Sequence, residues 1–206
     1  TLFPYTTLFR LGANKVSGGD GRDDITGNVG VDELIGDAGN DTLRGLGGVD
    51  TIRGGDGNDS LAGGDAQDQL YGGAGDDKIT LGNADDRAYG QDGRDRIYGQ
   101  NGDDFIDGGP GNDSFSGNDG VDFERGQDGD DKMVFGTGDD YGEGGPGNDR
   151  MYGQDGSDTF HGNDGDDYLS GNNDGDLLLG DAGNDEIHGG FGNDHIGYTD
   201  ASLNID

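Results

Sequence analysis

The chain has 206 residues, among them 49 glycines and neither cysteine nor tryptophan, and only 27% of its residues are hydrophobic. Its 12 basic and 45 acidic side chains give a formal net charge of −33, which repels the phosphate backbone and excludes a nucleic-acid surface. This composition is typical of disordered chains unless a ligand supplies stability, and the lack of cysteine excludes a disulfide framework.

The first ten residues differ from the rest of the chain. Thr1 to Arg10 contain neither glycine nor aspartate, and they resemble the in-frame translation of a widely used sequencing adapter. They also lack the initiating methionine and the basic, apolar and small-residue zones of a signal peptide. We therefore expect residues 1–10 to be an artefactual or disordered leader, and the chain to be a fragment of a longer open reading frame.

The remaining sequence is organised as repeats. Residues 11–17 fit the end of a degenerate repeat, with Asn14 where later units carry aspartate. Residues 18–197 form twenty consecutive nonapeptides without an insertion or deletion. Residues 198–206 keep the repeat length but have Leu203 in the place of the aspartate, so they are expected to be a degenerate repeat or a frayed C-terminal edge. No apolar run approaches the roughly 18 residues that a transmembrane helix requires.

Each nonapeptide reads Gly-Gly/polar-x-Gly-x-Asp-x-apolar-x, as in residues 54–62. The first position is glycine except at Leu81 and Phe135, and the sixth is aspartate in every unit. A short repeat of fixed length predicts stacked units that contact only their neighbours. The three residues around the apolar place predict a short strand with one side chain inward and two outward. Glycines at the first and fourth positions are expected to adopt positive φ, so that the loop can curl around an ion.

The aspartates indicate a bound metal ion. One apolar side chain per unit cannot balance the conformational entropy of ordering nine residues, so an external ligand must stabilise the fold. Carboxylate and backbone carbonyl oxygens are hard donors that suit Ca²⁺, whereas Zn²⁺ prefers cysteine or clustered histidine. The candidate ligands are the sixth-position aspartates: Asp23, Asp32, Asp41, Asp50, Asp59, Asp68, Asp77, Asp86, Asp95, Asp104, Asp113, Asp122, Asp131, Asp140, Asp149, Asp158, Asp167, Asp176, Asp185 and Asp194.

The unit resembles the RTX, or haemolysin-type, calcium-binding nonapeptide GGxGxDxUx over residues 18–197. The resemblance implies an all-β fold, a parallel β-roll solenoid in which each coil takes two nonapeptides and short strands stack into two facing parallel sheets. It also implies that Ca²⁺ lies between loops of successive coils, so that Asp23 shares an ion with Asp41, and Asp32 with Asp50. Twenty loops give at most 20 − 2 = 18 such pairs. Eighteen calcium ions would carry +36 and would nearly neutralise the net charge of −33.

An eighteen-residue coil sorts the apolar places into two columns, one for each sheet. The column that begins at Ile25 is apolar throughout, whereas the column that begins at Leu34 contains Ala88, Glu124 and Gly142. The coils with these three residues are the weakest candidates for ion occupancy.

Aromatic residues accompany these irregularities. In three consecutive coils of the sheet whose column begins at Leu34, the outward position before the apolar place is aromatic. These residues are Phe105, Phe123 and Tyr141. One interpretation is an exposed aromatic ladder that contacts a carbohydrate or a protein partner. The other is repeat decay with aromatics selected for strand propensity.

The sequence contains no recognisable catalytic constellation. It has no HExxH helix, no GxSxG elbow and no phosphate-binding loop. The adjacent carboxylates Asp76 and Asp77 could suggest acid–base chemistry, but the spacing marks Asp77 as a ligand and Asp76 as a turn residue. His161, His188 and His195 fall at outward positions and are expected to be surface residues. We therefore predict no catalytic residue and no organic cofactor.

The sequence predicts a non-catalytic calcium-binding module that is unfolded without metal and folds as Ca²⁺ loads. The resemblance implies a secreted bacterial protein exported through a type I secretion channel and located outside the cell or at its surface. Two alternatives remain open. The array is a calcium-stiffened spacer of an adhesin or surface-layer protein, or it is the C-terminal repeat region of a secreted protease, lipase or toxin whose catalytic domain is missing.

Overall fold

A computed structural model describes residues 7–8 and 12–197 of the chain. The rest of the predicted leader, Leu11 and the predicted C-terminal edge at residues 198–206 lie outside the described residues. The described part forms strands and turns. It contains no helix that is long and apolar enough to cross a membrane.

Successive strands alternate between two parallel sheets of eleven strands each. Sheet I contains β1 (Thr7–Leu8), β3 (Asp24–Thr26), β5 (Thr42–Gly47), β7 (Ser60–Asp65), β9 (Lys78–Asn83), β11 (Arg96–Asn101), β13 (Ser114–Asp119), β15 (Lys132–Thr137), β17 (Arg150–Asp155), β19 (Tyr168–Asn173) and β21 (Glu186–Phe191). Sheet II contains β2 (Asn14–Asp20), β4 (Asp32–Ala38), β6 (Thr51–Asp56), β8 (Gln69–Ala74), β10 (Arg87–Asp92), β12 (Phe105–Asp107), β14 (Phe123–Arg125), β16 (Tyr141–Pro146), β18 (Thr159–Asp164), β20 (Leu177–Leu179) and β22 (His195–Gly197).

The register between strands is constant along the molecule. Each strand pairs in parallel with the strand two ahead of it, at an offset of 18 residues, as in Ile25 opposite Leu43 and Leu34 opposite Ile52. Parallel neighbours need a crossover, and here the crossover from one strand to the next in a sheet is a strand of the other sheet. The predicted solenoid, with two nonapeptides per coil and two parallel sheets, is confirmed. Asn14 of the degenerate first repeat lies opposite Asp32 in the same register.

Most strands are longer than the three residues expected. In β7, which has six residues, Leu61 and Gly63 face inward and are buried, and Asp59 is buried just before the strand begins. Three alternate inward places are therefore taken by the aspartate and the apolar residue of one nonapeptide and by the first-position glycine of the next. The ladder continues through the glycines because a glycine backbone can pair where a side chain would not fit.

The expected backbone conformation of the first-position glycine was wrong. Positive φ occurs at the second and fourth positions instead, as at Gly55 (116°) and Gly57 (127°). At the second position even non-glycine residues adopt it, such as Leu46 at 81° and Gln91 at 75°. The first-position glycine, present in all but two units, has a different role, which involves the aspartate of its own unit.

The core is a narrow double row of apolar side chains between the sheets. It contains the apolar residues of both columns from Ile25 to Leu178, together with the two first-position exceptions, Leu81 and Phe135. Near the end of the columns, Ile187 is only partly buried and Ile196 is 48% exposed. Each exception lies seven residues before a small residue of sheet II, Leu81 before Ala88 and Phe135 before Gly142. A Cβ added to Gly142 would overlap Cζ of Phe135. Phe135 thus fills the volume that Gly142 leaves open, and the same spacing suggests the same exchange for Leu81 and Ala88.

We expect Phe135→Ala to destabilise the folded chain by about 3–5 kcal/mol, because the fully buried ring would leave a cavity beside Gly142. Urea unfolding in millimolar Ca²⁺ measures this loss. The matched control is Phe191→Ala, since Phe191 is 81% exposed and its removal should change stability by no more than about 0.5 kcal/mol.

Restoring the repeat pattern at both places should recover part of the lost stability. Gly142→Leu alone should be destabilising, because its side chain would collide with Phe135 and Met151. The double change Phe135→Gly with Gly142→Leu should be more stable than either single change. Additive losses would contradict the proposed exchange of volume between the two positions.

Candidate metal centre

The sixth-position aspartates form two columns along the solenoid, one at each edge where a loop enters a strand. Those from Asp32 to Asp176 are buried, with at most 3% of each residue exposed. Asp23, Asp185 and Asp194, at the two ends, are half-buried. The structure therefore places all twenty predicted residues in equivalent positions and removes most of their carboxylates from water.

One carboxylate oxygen of each aspartate is used to hold the coils together. The backbone N–H of Asp59 donates to Oδ1 of Asp77 at 2.7 Å, and that of Asp77 donates to Oδ1 of Asp95 at 2.8 Å. The same bond links every sixth-position aspartate from Asp23 to Asp176 with the one 18 residues later. The predicted pairs, such as Asp23 with Asp41, are thus in direct contact through the backbone.

In nearly all of these aspartates the second carboxylate oxygen has no hydrogen-bond partner. Oδ2 is buried and unpaired in every sixth-position aspartate from Asp23 to Asp185 except Asp32. A buried carboxylate oxygen without a donor is costly, and here the cost recurs in nearly every loop. Such a column of unpaired oxygens fits a cation as the missing partner.

First-position glycines leave room for this oxygen. A Cβ on Gly54 would overlap Oδ2 of Asp59 and the backbone carbonyl oxygen of Gly72. The same two kinds of oxygen face the Cα atoms of the other inner first-position glycines, for example Gly45 and Gly90. A carboxylate and a carbonyl oxygen therefore share one small buried space that contains no donor.

These donors fit Ca²⁺. Both are hard oxygens of the type that Ca²⁺ prefers. No group of three or more His, Asp or Glu side chains with metal-ligand spacing occurs in the described part of the chain. Any bound ion must therefore take a large share of its ligands from the backbone. When bound, calcium would supply the positive charge that the Oδ2 atoms lack.

Burial shifts the protonation of the aspartate columns. Desolvation raises the pKa of Asp131 to about 8, although the hydrogen bond from the Asp113 backbone opposes the shift. The neighbouring aspartates add to the increase, because like charges disfavour ionisation. The same causes raise the pKa to about 7 at Asp50, Asp77, Asp86, Asp113, Asp122, Asp149 and Asp158, and to about 6 at Asp68, Asp95, Asp104, Asp140 and Asp167.

Asp32 differs from the other aspartates because protein donors satisfy both of its oxygens. The backbone N–H of Asn28 donates to Oδ2 at 2.9 Å, and the Asn28 side-chain amide donates to the same atom at 3.1 Å. Asn14 donates to Oδ1 at 2.8 Å from both its backbone and its side chain. The amide of Asn28 thus lies where the other loops have no donor. Asn28 also lacks the positive φ of most second-position residues.

A second ladder runs along the outside of the loops. The fifth-position Asn58 accepts a hydrogen bond on Oδ1 from the backbone N–H of Asp76, and Asp76 accepts one from Arg94, at 3.2 and 3.0 Å. The sequence indicated only a turn preference for these residues. Their recurrence as Asp or Asn at eighteen-residue intervals is the signal that could have predicted the ladder.

The aromatic residues of sheet II stack on one another. The rings of Phe105 and Phe123 lie 5.4 Å apart at 12°, and those of Phe123 and Tyr141 lie 4.9 Å apart at 18°. The stack extends to Tyr71 and Tyr89 on the preceding strands. Neighbouring rings therefore cover the faces of the inner rings and leave mainly their edges exposed. A carbohydrate or protein contact at Phe105, Phe123 and Tyr141 stays a prediction.

The fold and the two carboxylate columns define a repeat module of the metal-binding β-solenoid class. The family model for the RTX calcium-binding nonapeptide repeat (4 copies) matches residues 11–43, 44–79, 80–115, 89–124, 108–142, 136–169, 143–178 and 170–197. The chain therefore belongs to this family, and its nonapeptides are calcium-binding repeats. A comparison with curated proteins finds no match to the chain.

We expect the metal-free chain to gain β structure on acidification. The folded pKa values of Asp50, Asp68 and Asp131, about 7, 6 and 8, exceed the ordinary value of 3.8, so the folded state binds protons that the unfolded chain releases. Its stability should therefore fall as pH rises from about 4 to about 8. Circular dichroism in chelator should show more β structure at about pH 5 than at about pH 8. With saturating Ca²⁺ the trend should reverse, because protons compete for the ligands.

The cap at Asp32 can be tested by removing the Asn28 side chain. Asn28→Gly removes the side-chain donor to Oδ2 of Asp32. Glycine can also adopt the positive φ of the equivalent residues, which would turn the backbone donor away. Calorimetric titration should then detect an additional Ca²⁺ ion per chain. Asn118→Gly is the matched control at the same repeat position, because the Asn118 side chain contacts Ser116 rather than an aspartate. An unchanged stoichiometry for Asn28→Gly would refute the cap, provided that the variant folds in Ca²⁺.

Proposed function

We propose that this chain is a non-catalytic module that folds as Ca²⁺ binds to its two aspartate columns. The observation that carries the proposal is the buried and unpaired Oδ2 atom that recurs in nearly every nonapeptide. The proposed ligands are the sixth-position aspartates from Asp23 to Asp194 other than Asp32, together with backbone carbonyl oxygens of the glycine-rich loops. Without the Asp32–Asp50 pair, ions between loops of successive coils would number no more than 18 − 1 = 17.

Metal binding and folding would be coupled by charge. The aspartate ladder needs buried carboxylates, but their mutual repulsion and desolvation oppose the folded state at neutral pH. A net charge of −33 adds repulsion throughout a compact chain. Calcium relieves both costs at once, so the free energy of binding becomes free energy of folding.

The proposed setting is outside the cell. Extracellular calcium modules have Kd values of about 10⁻⁴ to 10⁻³ M, so such sites would stay empty in a calcium-poor cytosol and fill after export. A chain that is unfolded until export suits passage through a type I secretion channel. Folding on Ca²⁺ outside would then oppose its return.

Circular dichroism and small-angle scattering of the whole chain test the proposal. In chelator near neutral pH we expect a disordered chain with a radius of gyration of about 50 Å, and in millimolar Ca²⁺ a β-rich particle of about 17 Å. A matched titration with Mg²⁺ separates ligation from charge screening, since Mg²⁺ demands a stricter octahedral site. Equal β content in chelator and in Ca²⁺, or an equal response to Mg²⁺, would overturn the proposal.

A further inference from the structure

Glu124 is a charged residue in the core of the solenoid. It is the central residue of β14 and occupies the apolar place of its nonapeptide, opposite Ile106 of β12 and Gly142 of β16. None of its surface is exposed, and neither Oε1 nor Oε2 has a hydrogen-bond partner. A fully buried and unpaired carboxylate is among the most costly groups that a core can hold.

No basic side chain neutralises Glu124. Arg125 follows it in the chain but points to the opposite face of the sheet, where its guanidinium pairs with Glu143 at 2.9 Å and Asp107 at 3.9 Å. None of the ion pairs among the described residues includes Glu124. Neutralisation must therefore come from a proton or from a cation that the chain does not itself supply.

The Glu124 side chain lies on the same side of the strand as the Asp122 carboxylate. Alternation along the strand turns residues 122 and 124 inward together, and both are buried. Oδ2 of Asp122 is itself unpaired. A Cβ on Gly117 would overlap this oxygen and would lie 2.9 Å from the carbonyl oxygen of Phe135. Residues 117–125 thus carry two buried carboxylates, and the carbonyl oxygen of Phe135 from the next coil lies beside that of Asp122. No other nonapeptide has a carboxylate in the place of Glu124.

Without a cation, the neutral acid is the competing state. Burial, followed by the negative charges of Asp122 and Asp140, raises the pKa of Glu124 well above its usual range. The Gly117 backbone favours the charged form, but it forms no hydrogen bond of good geometry with either oxygen.

We propose that Glu124 is an additional calcium-ligating residue of the Asp122 loop. The inference rests on the proposed function and assigns to one irregular repeat a role that the nonapeptide pattern does not contain. Extra carboxylate charge strengthens binding of Ca²⁺. The Asp122 loop should therefore be among the first sites to fill, although sequence analysis ranked its coil among the weakest candidates.

The variants Glu124→Gln and Glu124→Leu distinguish a ligand from a packing defect. If Glu124 binds Ca²⁺, both variants should lose the tightest class of sites in calorimetric titration, with affinity reduced by about tenfold or more. Their folding midpoints by circular dichroism should also move to higher Ca²⁺. Glu186→Gln is the matched control for loss of one negative charge, because the Glu186 side chain is 68% exposed, and its titration should match the parent chain.

A different result for Glu124→Leu would show that Glu124 is a packing defect and not a ligand. Glu124→Leu restores the apolar pattern, so a chain that folds at equal or lower Ca²⁺ than the parent, with the tight sites intact, would overturn the inference. If the parent chain itself does not respond to Ca²⁺, the proposed function fails as a whole. If the parent responds and the Glu124 variants respond equally well, only the role of Glu124 fails.

Discussion

The bond from the backbone N–H of one aspartate to Oδ1 of the aspartate one coil later is the interaction on which the structure depends. It fixes the register at 18 residues and draws each carboxylate into the interior. The second oxygen of the same carboxylate is buried as well, and in nearly every loop it has no hydrogen-bond donor. Oδ1 therefore holds the coils together, and burial leaves most Oδ2 atoms in need of a proton or a cation.

The structure satisfies its buried carboxylates in more than one way. At Asp32 the amides of Asn14 and Asn28 provide the donors, so the first loop of that column is closed by the protein alone. The loops that follow have the same first-position glycine and carbonyl oxygen beside Oδ2, but no donor to it. Because each coil contacts only its neighbours, a self-sufficient loop near one end gives the next coils a formed edge on which to stack.

Much of the fold and most of the candidate site could be predicted from the sequence. The nine-residue period fixes which residues share a column, and hydrophobicity fixes the inward side, so the two sheets and the alignment of the aspartates followed. The function of the first-position glycine did not follow. A glycine is selected either for positive φ or for the absence of Cβ, and composition does not separate these reasons. In the structure, Asp59 Oδ2 lies against the Cα of Gly54, so the absence of Cβ is the reason here.

Residues that depart from the repeat pattern were harder to predict, because their role depends on the conformation of the side chain and on its contacts. Asn28 and Asn118 occupy the same place in their repeats, yet Asn28 binds an aspartate and Asn118 binds Ser116. The repeat pattern likewise marked Ala88 and Gly142 as defects. It gave no reason to connect them with Leu81 and Phe135, which stand seven residues earlier in the same units.

That connection has a consequence for how such an array changes length. Both members of each compensating pair lie within a single nonapeptide, residues 81–89 or residues 135–143. Duplication or loss of a whole unit therefore adds or removes the bulky residue and the small residue together. The packed volume of the core is then preserved. An odd number of added units would, however, transfer every later strand to the opposite wall. Growth by two units at a time would preserve both the interior and the pattern displayed to solvent.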